Sequence, residues 1–282
     1  MQASDMFSDP RLIDELTSIV SRAAAAILAV RAGTLAPRTK ADASPVTAAD
    51  EASEAVILEG LARALPGVPV VSEEAHGRAP STLAGGDFAL VDPLDGTREL
   101  VAGRDEFCVN LALVSGGRPR LGIIAAPVLG LVWRTTAGGG AERLQLTPGA
   151  PASAGTGRTA IRPRAWPRSG AIAAVSRSHL DPRTQAFLAR LPQVERVASG
   201  SAVKLCRVAE GLADVYPRLA PVYEWDIAAG DAILTAAGGR VTRPNGDLLD
   251  YGNSAKGFLV EGFIAWGDPS APGRVGPAKD HA

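Results

Sequence analysis

The chain has 282 residues, 46% of them hydrophobic, and a formal net charge of −1 at neutral pH. That is enough apolar material for one large domain or two modest ones, and the basic excess needed to hold a nucleic-acid polymer is missing. Two cysteines, Cys108 and Cys206, stand outside any CxxC pattern, which argues against a disulfide scaffold and reads as two reduced core thiols of a cytoplasmic protein.

Leu12, Ile13, Leu16, Ile19, Val20, Ala23 and Ile27 recur at helical intervals, so a first helix is predicted over about residues 10 to 32, closed by Gly33 and Pro37. Its apolar run, Ala23 to Val30, is only eight residues long and follows Asp14, Glu15 and Arg22. That predicts an amphipathic helix, not a signal peptide or an integral membrane segment. Thr47-Ala48-Ala49-Asp50 resembles a capping box with Asp in place of Glu and opens a second helix to about Leu65. A short strand, Val68 to Ser72, ends at Glu73-Glu74. Another, Phe88 to Val91, runs into Asp92, and a helical turn follows near Arg98 to Ala102. Phe107 to Ser115, Leu121 to Ala126 and Leu131 to Thr135 read as a three-stranded meander. Residues 137 to 169 are rich in Gly, Pro, Ala and Arg and read as irregular surface, partly a linker. The second half predicts helices at about 181–191, 201–210 and 226–237, with strands near 171–176, 194–198, 213–217, 240–243 and 258–264. The expected fold is α/β, a layered α+β sandwich with an antiparallel sheet in the N-terminal half and an α/β C-terminal half. Expected boundaries are 1–168 for an N-terminal α+β sub-domain, 169–267 for a C-terminal α/β sub-domain that includes Asp226, and 268–282 for a flexible tail.

Asp92-Pro93-Leu94-Asp95-Gly96-Thr97 carries the most chemistry. Pro93 bars a helix across this turn, and Gly96 lets a phosphate approach the backbone. The N–H groups of Gly96 and Thr97, at the start of a short helix, suit a phosphate. Glu73 and Asp226 lie at a strand end and a helix start. Taken singly, these motifs are ordinary: a D-x-x-D pair is usually a turn with a cap, Glu-Glu a solvated end, Trp-Asp a helix N-cap. Taken together, Glu73, Asp92, Asp95 and Asp226 would repel, at roughly 4 kcal/mol per pair for about 4 Å and an effective dielectric near 20. Two divalent cations would balance four carboxylates. The donors are all oxygens, and His76, His179 and His281 show no ligand spacing, which favours Mg²⁺ over zinc.

At these residues the chain resembles the inositol-monophosphatase-like, Mg²⁺-dependent, lithium-sensitive phosphatases. The matching motifs are Asp92 to Thr97, Trp225 to Gly230, Ser72-Glu73-Glu74, and Pro45 to Asp50. Four further stretches resemble the family's bacterial 3′(2′),5′-bisphosphate nucleotidases: Lys40 to Thr47, Val175 to His179, Gly200 to Cys206 and Ala213 to Arg218. The resemblance spans about residues 10 to 265 and implies the sugar-phosphatase fold. It also implies hydrolysis of the 3′-phosphate of adenosine 3′,5′-bisphosphate to AMP and phosphate, by in-line attack of a metal-activated water. By position, Glu73, Asp92 and the Leu94 carbonyl would hold one Mg²⁺. Asp92, Asp95 and Asp226 would hold the second, and a third, weaker site would lie beside Asp50. Asp50, Glu73 and Thr97 would be catalytic, with Thr97 as a relay for a carboxylate behind it. Residues 94 to 97, with Glu73, Ser201, Lys204, Arg218 and Asp226, would contact substrate.

A bisphosphate needs a cation for its second phosphate. Lys204 and Arg218 are candidates, with Arg177 a third, though each could be a solvated surface charge. Tyr223 and Trp225 could lie near the base or pack in the core. The alternative substrates with the same metal chemistry are inositol 1-phosphate and fructose 1,6-bisphosphate. The remaining expectations are a homodimer and a cytoplasmic location, with peripheral contact at the inner membrane face. The family pattern is exceeded at residues 137 to 169, which leaves the pocket's edge open.

Overall fold

The computed structural model describes residues 7–33, 38–39, 45–78, 83, 85–177 and 180–275. Parts of the predicted motifs, Lys40 to Ser44 with Ser178, His179 and His281, lie outside them. In chain order the elements begin with helix α1 (Pro10–Arg31), short strands β1 (Arg38–Thr39) and β2 (Pro45–Val46), and helix α2 (Ala48–Ala64). Strands β3 (Val70–Ser72) and β4 (Asp87–Asp95) precede helix α3 (Thr97–Val101). Five strands follow: β5 (Cys108–Ser115), β6 (Arg118–Ala126), β7 (Leu131–Thr135), β8 (Ala141–Gln145) and β9 (Thr156–Ala160). The second half runs β10 (Ile172–Ser176), α4 (Pro182–Ala189), β11 (Glu195–Ser199), α5 (Val203–Ala209), β12 (Val215–Arg218), β13 (Val222–Tyr223) and α6 (Glu224–Ala237). It closes with β14 (Arg240–Thr242), β15 (Leu259–Val260), β16 (Phe263–Trp266) and α7 (Ala271–Val275).

Strands β3 to β9 form a seven-stranded sheet in sequence order, antiparallel except for the parallel pair β3–β4. A five-stranded sheet has the order β11-β10-β12-β16-β14 and is mixed. The large sheet is covered on both faces, so its central strands are apolar on both sides. On β4, Ala89 and Val91 face the core shared with α1 and α2, while Phe88 and Leu90 face the core shared with α5 and α6. That second core also takes Tyr216, Val241 and Phe263 from the five-stranded sheet. The other face of the small sheet packs Val175, Val215 and Trp266 against Phe187 and Leu188 of α4. Helices and sheets therefore alternate in layers, as expected.

The capping box of α2 forms as the sequence predicts. The Asp50 carboxylate accepts the Thr47 N–H at 2.7 Å, and Thr47 Oγ1 accepts the Ala49 N–H at 3.1 Å. Helix α6 lies directly on β6, because a Cβ on Gly122 would stand 2.2 Å from the Ala229 carbonyl oxygen.

The structure adds detail at two places. Within residues 137 to 169, expected to be largely irregular, most of the stretch lies outside helices and strands, while β8 and β9 extend the large sheet. These are polar strands at a sheet edge, where charges replace apolar alternation. Arg134, buried on β7, binds Glu142 of β8 at 2.8 Å and Asp14 of α1 at 2.7 Å, and Arg158 of β9 binds the same Glu142 at 3.0 Å. Of the segment after Asp268, Ala271–Val275 forms α7 with Ala271 fully buried, and residues 276–282 lie outside the described residues. Among the described residues no helix is long and apolar enough to cross a membrane.

Candidate active site

Three elements bring carboxylates to one cleft of about 320 Å³. Strand β3 delivers Glu73, the first residue of a 3-10 turn. Strand β4 delivers Asp92 and Asp95, with a register irregularity between them where Pro93 interrupts pairing to β5. The first turn of α6 delivers Asp226, whose carboxylate accepts the Tyr223 N–H at 3.2 Å. Asp226 is therefore the third helical residue, and its reach back to Tyr223 caps the helix start.

One carboxylate oxygen each from Glu73, Asp92 and Asp226 lies within 4.8 Å of the others. Asp95 stands beside this triad, with Oδ2 accepting the Ala202 N–H from the second half of the chain. Asp92 is 1% exposed. Burial, then the charges of Glu73, Asp95 and Asp226, push its pKa well above the usual carboxylate range. Burial, then Asp95 and Glu73, push Asp226 up to about 7, with Arg218 and the Tyr223 N–H opposing. Such a group resists full ionisation by itself, and an all-oxygen donor set of this kind fits a hard divalent cation.

Behind the cluster is a hydroxyl–carboxylate pair. Thr97 Oγ1 donates to Asp50 Oδ1 at 2.9 Å and also lies 3.2 Å from the Leu94 carbonyl. Asp50, 1% exposed, is held at its other oxygen by the N–H and hydroxyl of Thr47, at 2.7 and 2.8 Å. Ser53 of the same helix donates to the Pro93 carbonyl at 2.6 Å, tying α2 to the acidic turn. Gly96 caps α3 with φ 103°, in the left-handed region. A side chain there would be strained and would also meet the Glu106 carbonyl at 3.0 Å.

The remaining predicted contacts divide. Ser201, at φ 47°, Lys204, Arg218 and Tyr223 all line the cleft. Arg218 Nε is buried without a hydrogen-bond partner among the described residues, and Nη2 is 3.4 Å from the Pro221 carbonyl. Burial works against its charge, but Tyr216, Asp226 and Asp95 outweigh this and hold its pKa above the ordinary arginine value. Lys204 is 2% exposed, and its Nζ donates to the Ser199 and Ser201 carbonyls over the Tyr216 ring. Its ammonium thus braces the turn before α5. Arg177 is bound to Glu106 and is absent from the cleft lining. Tyr223 stacks on Trp225 at 4.7 Å, and only the tyrosine reaches the cleft. Sequence reasoning passed over Ser176, Tyr216 and Phe263, which complete the walls. They sit in strands that read as ordinary core, and only the pairing of β12 with β16 brings Tyr216 and Phe263 together.

Residues 11–265 match the model of the inositol monophosphatase family. The chain is 36% identical over 261 residues to the 3′(2′),5′-bisphosphate nucleotidase CysQ of Escherichia coli strain K12, covering 89% of this chain and 98% of that protein. It is 35% identical over 229 residues to the histidinol-phosphatase of Mycobacterium tuberculosis, covering 80% and 85%. Among solved structures, CysQ from Bacteroides thetaiotaomicron superposes with a TM-score of 0.73 at 33% identity, covering 91% of this chain and 96% of that one.

Proposed function

Because the chain belongs to the inositol monophosphatase family, we propose that it is a Mg²⁺-dependent phosphatase that removes the 3′-phosphate of adenosine 3′,5′-bisphosphate to leave AMP. The observation that carries this reading is the carboxylate triad of Glu73, buried Asp92 and Asp226 in a cleft that also holds an arginine with an unbonded Nε. The near full-length similarity to a bisphosphate nucleotidase supports the choice of substrate. Glu73, Asp92 and the Leu94 carbonyl would hold one Mg²⁺, Asp92, Asp95 and Asp226 a second, and the Asp50 region a third, weaker one. When bound, the cations neutralise this crowd of carboxylates, lower the pKa of a coordinated water and polarise the phosphoryl group.

The chain's own residues do the rest. Thr97 donates a hydrogen bond to Asp50, which leaves its lone pairs free to face an attacking water in the cleft. As the water attacks phosphorus in line, its proton passes to Thr97 Oγ1 and the threonine proton to Asp50, while the P–O3′ bond breaks and the leaving 3′-oxygen takes a proton from solvent water, so a weak base acts with a carboxylate behind it. The left-handed Gly96 lets the phosphoryl oxygens come close to the backbone of residues 94 to 97. Arg218 offers donors to the second phosphate, and Ser201 lies on the wall that Lys204 braces. We read the chain as two sub-domains, 1–168 and 169–267, meeting at this cleft. The two buried free thiols support a reducing, cytoplasmic setting.

Steady-state phosphate release decides the substrate. With Mg²⁺, adenosine 3′,5′-bisphosphate should be turned over with a higher kcat/KM than inositol 1-phosphate, fructose 1,6-bisphosphate or histidinol phosphate, and Li⁺ or a chelator should suppress it. Preference for any of the other three would overturn the nucleotidase reading and keep the metal chemistry.

A further inference from the structure

The cleft has walls from both halves of the chain, and one side-chain pair outside it governs how they meet. Glu106 lies in the connection between α3 and β5. Its Oε2 accepts the Gly200 N–H at 2.8 Å. Both its oxygens also receive the Arg177 guanidinium, Nε at 2.9 Å and Nη2 at 2.5 Å. Arg177 follows β10 directly and grips the end of β11 as well. Its N–H donates to the Ser199 carbonyl at 3.2 Å and its Nη2 to the Ala198 carbonyl at 3.2 Å.

The backbone around this pair is packed tightly. A Cβ on Gly200 would stand 2.6 Å from the Glu106 carbonyl oxygen, and one on Gly96 would stand 3.0 Å from the same oxygen. The Glu106 peptide is therefore wedged between the Gly96 turn and the Gly200 turn. Gly96, Gly200 and Ser201 line the cleft, whereas Glu106 and Arg177 do not. A second tie between these two turns runs from the Ala202 N–H to the Asp95 carboxylate, and Asp95 is itself among the proposed metal ligands.

We propose that Glu106 and Arg177 form a positioning pair, a latch that holds the turn at residues 199–202 against the turn at residues 95–96 and so sets substrate affinity. The inference rests on the phosphatase reading for its kinetic consequence, though not for its structural one. With side chains 40% and 32% exposed, the ion pair adds little to global stability. Its effect lies in geometry: a bidentate fork fixes orientation, which a single ammonium cannot reproduce. It also assigns Arg177 away from the second phosphate, because its fork is already engaged by two carboxylate oxygens and a carbonyl.

The test uses the full chain as Arg177→Gln, Glu106→Gln, the double variant and Arg177→Lys. Amide hydrogen exchange is followed by mass spectrometry over residues 196–206, alongside kinetics on the best substrate. Each Gln variant should speed exchange in that segment by about 10-fold, a local opening with little change in global unfolding. KM should rise by about 5- to 10-fold with kcat within about 3-fold, as expected when binding geometry alone is loosened. The double variant should be no worse than the worse single one, and Arg177→Lys should fall between. Unchanged exchange, strictly additive losses, or a fall in kcat at constant KM would each overturn the latch. A wild-type protein inactive on adenosine 3′,5′-bisphosphate would defeat the substrate reading alone, because exchange and its non-additivity still judge the pair.

Discussion

Arg218 Nε is buried with no partner among the described residues, and its Nη2 donates to the Pro221 carbonyl at 3.4 Å. A guanidinium so placed is costly unless an anion completes its hydrogen bonds, and under the proposed function the second phosphate of the substrate would be that anion. Arg218→Ala should raise KM for adenosine 3′,5′-bisphosphate by roughly 10- to 100-fold, matching ~1.5–3 kcal/mol for hydrogen bonds to a charged group. KM for adenosine 3′-monophosphate should change far less. Equal losses on both nucleotides, measured by initial rates, would remove Arg218 from that role. Legibility in the sequence varied residue by residue. Asp92 to Thr97 was readable because its chemistry is compressed into one turn, where spacing alone constrains geometry. Lys204 and Arg177 were not, since each is a long flexible cation whose direction spacing alone does not set. Lys204 curls back onto the carbonyls of Ser199 and Ser201, and Arg177 meets Glu106, 71 positions away.

Helix α6 carries Asp226 in its first turn, so its seating on the large sheet decides where that carboxylate points. Part of the seating is the absence of a side chain at Gly122 under the Ala229 carbonyl. Another part is Asp231, buried on the same helix, which accepts the Tyr251 hydroxyl at 2.8 Å and the Thr235 hydroxyl at 3.0 Å. Burial raises its pKa to about 6 against those two opposing bonds. Between about pH 4 and pH 6 the folded chain keeps a proton that the unfolded chain has released, so this group's stabilising contribution falls as pH rises. The loss approaches about 3 kcal/mol, at about 1.4 kcal/mol for each tenfold difference in proton affinity between the folded and unfolded chain. Urea unfolding of wild type and Asp231→Asn across pH 4.5 to 7 should show the wild type losing stability relative to the variant as pH rises, with the change finished above about pH 6. Parallel profiles would mean that Asp231 is not held protonated. At this scale α1, α2 and the meander β5–β7 were legible, because periodicity and a capping box announce them. Strands β8 and β9 were not, because Glu142 and Arg158 serve a charge ladder with Arg134, and a polar edge strand carries the composition of a loop.

The two sheets share one core through α5 and α6, and the acidic cluster lies where they meet. Glu73 and Asp92 come from the large sheet, and Asp226 comes from a helix 134 positions later than Asp92, wedged between the sheets. No local rule in the sequence gives that juxtaposition; it follows from how β4 and α6 pack. The consequence is that a cation bound by these groups joins segments that otherwise repel. Mg²⁺ at about 100-fold over its dissociation constant would add about 2.7 kcal/mol to stability, which for a chain of this size is a rise in Tm of about 5 °C. Scanning calorimetry in Mg²⁺ and in chelator should show that rise for wild type. Asp226→Asn should behave in the opposite sense in each condition. Without metal it should melt higher than the wild type, because one repelling carboxylate and its burial cost are gone. With Mg²⁺ it should gain little, because a ligand is missing. A variant that melts lower without metal and still responds fully to Mg²⁺ would show that repulsion among these acids is not what the cation relieves.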